Sequence, residues 1–472
     1  MMHQHSFSSV TLALLLALSA VAQPLKPLRV ACLGDSITAG ARVDAKQPNV
    51  LFLFSDDQRF DTIAALGNPW VKTPNLDRLV ERGFVFRHTY CMGSTNAAVC
   101  LPSRAMVHSG QSLWKVARNL KVTNRTNWAE EARVYSLEGV TTWAETMREG
   151  GYSTFGTGKW HNGKKSFARG FTDGGAIFFG GMSDHLKVPI FDFDPSGQYP
   201  KKNRRLGKKF SSELFADAAV EFLNARAADK ADGRPFFMYV AFSAPHDPRM
   251  APKEFVDMYD ADKLPLAKSV MPRHPFDNGE LKIRDECLAP WPRTPKIVRR
   301  HLADYYAMIT HMDHHIGRIL DALKKSGQAE NTIIVFSSDH GLSVGRHGLL
   351  GKQNLYEHGM RPPLIVSGPG IPKGESEALV YLHDLFPTVC DLVGLKTPTG
   401  VEGKSLAPVM RGETSKVRDY VIGAYRNFQR MVREPRWKLI TYDVKGLKTS
   451  QLFDLENDPL EMNNLVSNSD CQ

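Results

Sequence analysis

Four short apolar runs in this chain each end in ionisable residues. Residues 49–54 (NVLFLF) lead to Asp56 and Asp57, and 152–156 (YSTFG) lead to Lys159-Trp160-His161. Residues 236–242 (FFMYVAF) lead to Pro245-His246-Asp247, and 332–337 (TIIVFS) lead to Asp339-His340. Runs of this length and composition predict buried strands. In open α/β sheets, ligands bind beyond the carboxyl ends of the strands. Four strands that each deliver polar groups at that end describe one shared site. Asp56, Asp57 and Asp339 are three carboxylates converging from two of the strand ends. Gathered without a partner, they would repel one another and raise their own pKa values. A hard divalent cation resolves the conflict, and oxygen donors favour Ca²⁺ or Mg²⁺. Read singly, Asp56 or Asp57 serves equally well as a helix cap; as a set, the three read as a metal site.

Between the first two runs lies Cys100-Leu101-Pro102-Ser103-Arg104, at the start of a predicted helix. Backbone N–H groups and the positive helix end face an anion there. That setting suits a thiolate nucleophile of lowered pKa at Cys100. A disulfide between Cys91 and Cys100 is the alternative use of the thiol. The six Cys are scattered, too sparse for a disulfide framework, and most read as small buried hydrophobes.

The elements that must position these residues alternate between helix and strand patterns, which predicts a largely parallel sheet covered on both faces. TPNLDRLVERG has Thr73 as cap, Pro74 in the first turn and a stop at Gly83. VTTWAETMREGG ends at paired glycines, and 211–228 and 298–327 read as longer amphipathic helices. From about Asp419 the pattern changes to short turn-separated strand candidates, so a small antiparallel C-terminal subdomain is expected. With 472 residues the chain holds one large α/β domain or two ordinary ones. Its net charge of +10 suits an anionic partner. No zinc-finger, RNA-recognition or basic-zipper pattern occurs, so nucleic acid is not expected. Residues 10–18 are mostly apolar and lead to Ala20-Val21-Ala22, a small-x-small cleavage pattern. Residues 1–22 are therefore expected to be a secretory signal and the protein secreted or periplasmic. The apolar run is too short for a membrane span, and no later segment is long enough.

The C-x-P-S-R block resembles the signature of the type I sulfatases, in which the Cys is oxidised to formylglycine (3-oxoalanine). The blocks PNVLFLFSDDQ, TPNLDRL, GYSTFGTGKWHNG, SAPHDP, SSDHG, HGLLGKQNLYE and QLFDLENDPLEMNNL also resemble that family, in its order, over about 48–465. The resemblance implies an alkaline-phosphatase-like α/β fold: a large mixed, mostly parallel sheet flanked by helices, with a small C-terminal antiparallel sheet. The corresponding boundaries are 23–47 for a peripheral N-terminal segment, 48–415 for the catalytic domain and 416–472 for the C-terminal subdomain. The implied ligands of Ca²⁺ (rather than Mg²⁺) are Asp56, Asp57, Asp339, His340 and the converted Cys100. Hydrated to a gem-diol, residue 100 would attack sulfur with one hydroxyl and expel sulfate through the other. Arg104 would hold and polarise the diol, and His161 would orient or deprotonate it. Lys159 and Lys352 would bind sulfate oxygens, and His246 would protonate the leaving alcohol. The implied partners are a sulfated small molecule or glycan and a formylglycine-generating maturation enzyme. The chain departs from the family pattern at His340, where Asn is common, and at Ser109-Gly110-Gln111, where Thr-Gly-Arg is frequent.

Other features carry weaker readings. His314 and His315 read as packing or surface residues on a helix. His347 and His358 flank the Lys352 loop, either lining a pocket or not. The basic run 201–209 (KKNRRLGKK) reads as a solvated loop or, alternatively, as a rim that attracts a polyanionic glycan. Asp247 and Arg249 neighbour His246 and are candidates for sugar contacts. Residues 28–40 (LRVACLGDSITAG) resemble the nucleophile block of GDSL-type esterases, but the chain contains no Asp-x-x-His to activate Ser36. That segment reads as a relic, a fusion scar or a start-site artefact. The competing functions are a phosphatase or phosphodiesterase of the same fold, a GDSL esterase, and a non-catalytic binding protein.

Overall fold

The computed structural model describes residues 47–118, 128–228 and 232–467. The signal-like segment and the GDSL-like block lie outside the described residues. The strands run in chain order as β1 (Asn49–Ser55), β2 (Phe84–Tyr90), β3 (Gly93–Ser94), β4 (Ser153–Lys159), β5 (Asp173–Phe178), β6 (Pro189–Ile190), β7 (Arg205–Leu206) and β8 (Phe236–Ala241). They continue as β9 (Thr332–Ser338), β10 (Leu364–Ser367), β11 (Gly374–Tyr381), β12 (Val421–Tyr425), β13 (Gln429–Arg433), β14 (Trp437–Val444) and β15 (Leu447–Asp454).

The main sheet has the order β11-β2-β10-β9-β1-β8-β4-β5. The four apolar runs singled out in the sequence are β9, β1, β8 and β4, four consecutive neighbours, all parallel. Every residue in these four strands is buried, which is why β1, β8 and β9 read as nearly continuous apolar runs rather than alternating ones, while β4 (STFGTGK) carries small and polar residues. Alternate side chains of β1 serve different cores. Val50, Phe52 and Phe54 pack with Trp143, Met147 and the Cys100–Ser109 helix, whereas Leu51 and Leu53 pack with Met308, Met312 and Ile316 of the Pro295–Lys325 helix. β10 runs antiparallel to both neighbours, which makes the sheet mixed.

The Pro74–Arg82 helix forms where expected, but Thr73 does not cap it. The Thr73 hydroxyl instead accepts from the Ala64 amide at 2.8 Å and bonds Asp77. Asp313, on the Pro295–Lys325 helix, takes over as the cap, accepting from the amides of Asn75 (3.1 Å) and Leu76 (2.8 Å). Tertiary packing thus supplied a better acceptor, a carboxylate at the positive helix end. At the Trp143–Glu149 helix the local signal holds: Thr142 and Glu145 form a reciprocal capping box.

The second sheet has the order β15-β14-β13-β12-β3. Strands β12 to β15 form the expected antiparallel meander. It is completed by β3, which pairs parallel with β12 and lies just ahead of Cys100. Gly93 permits this approach: its φ is +89°, and a Cβ there would come within 2.1 Å of Ala424 O.

Candidate active site

The carboxyl ends of β1, β4, β8 and β9 converge on the N-terminus of the Cys100–Ser109 helix. Asp56 and Asp57 follow β1, and Asp57 holds a left-handed backbone (φ +68°), strained for a non-glycine residue. The Asp57 amide donates to Asp339 Oδ1 at 3.0 Å. Its carboxylate accepts both arms of a contact from Lys352 Nζ, at 2.8 and 2.9 Å. Lys159, the last residue of β4, donates to Asp56 Oδ2. Arg104 Nε donates to Asp339 Oδ2 at 3.1 Å, and Nη1 donates to Lys159 O at 2.7 Å and to Tyr239 Oη at 3.2 Å. Ser103 Oγ donates to Asp339 O at 2.6 Å and fastens the helix to the end of β9.

Cys100 Sγ lies 3.4 Å from His161 Nδ1. His161 has φ +64°, and Gly181 packs so closely that a Cβ there would lie 2.6 Å from His161 Nε2. His246 Nε2 is 3.9 Å from Asp57 Oδ2, and its Nδ1 is bonded to Asp247 O at 2.7 Å. His185 Nε2 is 2.9 Å from the His246 carbonyl and Nδ1 is 2.6 Å from Ser211 Oγ, so His185 pins the segment from behind.

The titration behaviour follows from this crowding. Burial pushes the Cys100 thiol up, but Lys159, His161 and Lys352 outweigh it and hold the thiol well below its ordinary value. Burial and the Asp56 charge push Asp339 up to about 7. Burial pushes His340 down, yet Asp339 and Asp57 win and raise it to about 9. Burial lowers His161 against the opposing pull of Cys100.

These residues fit a cation. Ligand atoms of Asp56, Cys100, Asp339 and His340 all lie within 4.8 Å of one another. Asp56 Oδ1 and His340 Nε2 are buried there without a hydrogen-bond partner. An orphaned carboxylate oxygen and an orphaned imidazole nitrogen beside a second carboxylate are what a bound cation satisfies. Asp57, His246 and Asp247 form a second group of this kind. Its charge is already offset, because Lys352 holds Asp57 and Arg284 holds Asp247 at 2.6 and 3.0 Å.

Asp56, Asp57, Lys159, His161, His246, Asp339 and His340 are thus brought together with Cys100, Arg104 and Lys352, whereas Trp160 packs into the core against Phe167 and Phe171. Cys91 and Cys100 are both free thiols, so the disulfide alternative does not hold; Cys91 packs on Met360. His347 and His358 form a buried stack with Tyr356 and line no part of the cavity next to Cys100. His315 is buried against His311, and His314 is exposed. Arg249 pairs with His301 at 2.5 Å and is not on the cavity wall. The cavity, ≈ 390 Å³, is walled partly by residues that sequence reasoning missed, among them Met182, Arg284, Asp285 and Gln353. Arg284 and Asp285 sit on the 3-10 turn Arg284–Leu288, far from any strand end, in a stretch with no periodic signal.

Known proteins resemble this chain over most of its length. A family model described as sulfatase matches residues 48–395, and one described as the C-terminal part of N-sulphoglucosamine sulphohydrolase matches 345–472. The chain is 29% identical to a choline-sulfatase of Rhizobium meliloti, covering 89% of this chain and 83% of the relative. It is 25% identical to an N-acetylglucosamine-6-O-sulfatase of Bacteroides thetaiotaomicron, covering 90% and 84%. A solved structure in complex with its substrate D-glucosamine-2-N,6-O-disulfate superposes with a TM-score of 0.72 at 23% identity, covering 90% of this chain and 94% of that one.

Proposed function

The chain belongs to the sulfatase family and is a sulfuric ester hydrolase, and from that premise we propose that it desulfates a carbohydrate through a formylglycine at position 100 with Ca²⁺ bound beside it. The observation that carries this reading is the setting of Cys100: a helix N-terminus with His161 at 3.4 Å, beside a carboxylate-rich cation site. Asp56, Asp57, Asp339, His340 and residue 100 would hold the ion, which would supply Lewis-acid polarisation of a sulfate oxygen. Formylglycine would supply a hydrated-aldehyde nucleophile that can release sulfate by elimination, where a plain thiol or hydroxyl would leave a sulfated enzyme.

The chain's own residues account for the rest. Arg104, fixed by Asp339, Lys159 O and Tyr239, orients residue 100 through its buried guanidinium. His161 is the base beside residue 100. An ammonium has three donors, so Lys159 and Lys352 keep N–H groups for sulfate oxygens beyond those spent on Asp56 and Asp57. His246, held at Nδ1 by Asp247 O, offers Nε2 to the leaving oxygen.

A carbohydrate is favoured over a quaternary ammonium ester because no Phe, Tyr or Trp lines the cavity among the described residues, and a choline-like group needs aromatic faces. A two-zinc phosphatase is disfavoured because Lys352 and Arg284 already neutralise the second acidic group. Export to the periplasm or beyond, by the segment 1–22, and maturation by a formylglycine-generating enzyme complete the proposal. Peptide mass spectrometry over residue 100 tests it: conversion of CH₂SH to CHO lowers the mass by about 18 Da. Unmodified Cys100 in active, natively produced protein overturns the mechanism.

A further inference from the structure

Past Gly181 and Met182 the chain leaves the cavity wall and forms the β6–β7 ribbon, with Pro189 opposite Leu206 and Ile190 opposite Arg205. The Gly207 amide donates to Val188 O at 2.9 Å, which carries the pairing on toward Lys187 and Lys208. Residues 182–209 include seven Lys or Arg and three Asp. Arg205 pairs with Asp192, and Lys209 pairs with Glu213 and Asp217. The other five, Lys187, Lys201, Lys202, Arg204 and Lys208, are exposed and pair with no described carboxylate.

Like charges crowded on a short ribbon oppose its formation, so the ribbon is better suited to an anion-bound state than to a bare one. Exposed apolar side chains are interleaved with the cations: Met182 (49%), Leu186 (38%) and Leu206 (56%). Cations alternating with small apolar surfaces match a polymer that presents sulfates and C–H ring faces in turn. Lys187 lies five residue steps beyond Met182, so their Cα atoms lie within about 18 Å, the reach of a short oligosaccharide. We propose that this ribbon is a docking strip for the sulfated polysaccharide that continues beyond the ester in the cavity. The proposal rests on the carbohydrate reading above and adds a substrate class to it: oligomers in preference to single sugars.

The test uses the full chain with K187A, K201A, K202A and K208A combined, none of which lies in the catalytic machinery. Turnover is measured on 4-nitrophenyl sulfate and on mono- and hexasaccharides of heparan sulfate, chondroitin sulfate and carrageenan. Expected are aryl-ester and monosaccharide kinetics within about twofold of wild type, with KM for the accepted hexasaccharide raised about tenfold at low salt. An unchanged hexasaccharide KM overturns the docking strip and leaves the carbohydrate reading standing. Wild type that cleaves the aryl ester but none of the sugars overturns the carbohydrate reading, and the strip with it. Competition by duplex DNA equal to that by the polysaccharide at matched charge shows a general polyanion surface and also overturns the proposal.

Discussion

At Cys100 the polar groups are arranged around charge rather than around a hydrophobic pocket. Lys159, Lys352 and Arg104 face Asp56, Asp57 and Asp339, so positive and negative groups nearly balance before any substrate enters. Such fixed dipoles and charges act without reorganising during reaction. His246, 3.9 Å from Asp57 on the edge of this cluster, lines the cavity, as a proton donor to the leaving oxygen should. His246→Ala is expected to lower kcat about 10²–10⁴-fold on a sugar sulfate, whose alkoxide leaves poorly. On 4-nitrophenyl sulfate, whose phenolate leaves unaided, the loss should be far smaller. Equal losses on the two substrates would assign His246 a role other than general acid.

The strand ends are rigid because whole-strand burial fixes them, while the loops beyond need rivets. Asp61 is one: its carboxylate pairs with Arg59, just beyond β1, and with Arg346, ahead of the Lys352 loop. Burial pushes Asp61 up, but Arg346 and Arg59 outweigh it and hold the carboxyl at about 2, below its usual 3.8. A depressed folded-state pKa means that the contribution is complete above the unfolded value and is lost as pH falls through the folded one. Asp61→Asn leaves two largely buried guanidiniums short of a counter-charge, which should cost about 2 kcal/mol near neutral pH. The difference between wild type and variant in urea unfolding should shrink as pH drops from about 4 to about 2. A difference that stays constant over that range would show that the ion pairs are not its source.

Across the whole molecule, the second sheet is joined to the site at several places among the described residues, including Gln429 of β13, which donates to Gln353 O on the cavity wall at 3.3 Å. β3 carries the chain from that sheet into the Cys100 helix. Lys438 of β14, fully buried, pairs with Glu357 at 3.0 Å and Glu461 at 2.7 Å, just beyond the Lys352 loop. Removing the shared cation leaves two buried carboxylates facing each other. Lys438→Ala should therefore destabilise the protein by about 3–5 kcal/mol and, at a temperature where it stays folded, reduce kcat by loosening the loop that carries Lys352. A variant with normal melting and normal kcat would show that the C-terminal sheet is not coupled to the site.

Local sequence determined the strand-end chemistry. Asp56, Lys159, His246 and Asp339 each follow an apolar run, and both the run and its polar terminus are encoded within a few residues. The Thr142–Glu145 capping box and the Gly83 stop are local in the same sense. Tertiary structure alone decided where partners come from distant segments. Asp313 displaced Thr73 as a helix cap, because a helix over two hundred residues away brought a carboxylate to the spot. Arg284 and Asp285 reached the cavity wall on a turn with no periodicity to reveal it. The C-terminal sheet borrowed Gly93 and Ser94, because only a glycine could approach Ala424 so closely. Short-range patterning fixes which groups sit at the ends of elements; long-range packing, which no spacing records, fixes what those groups meet.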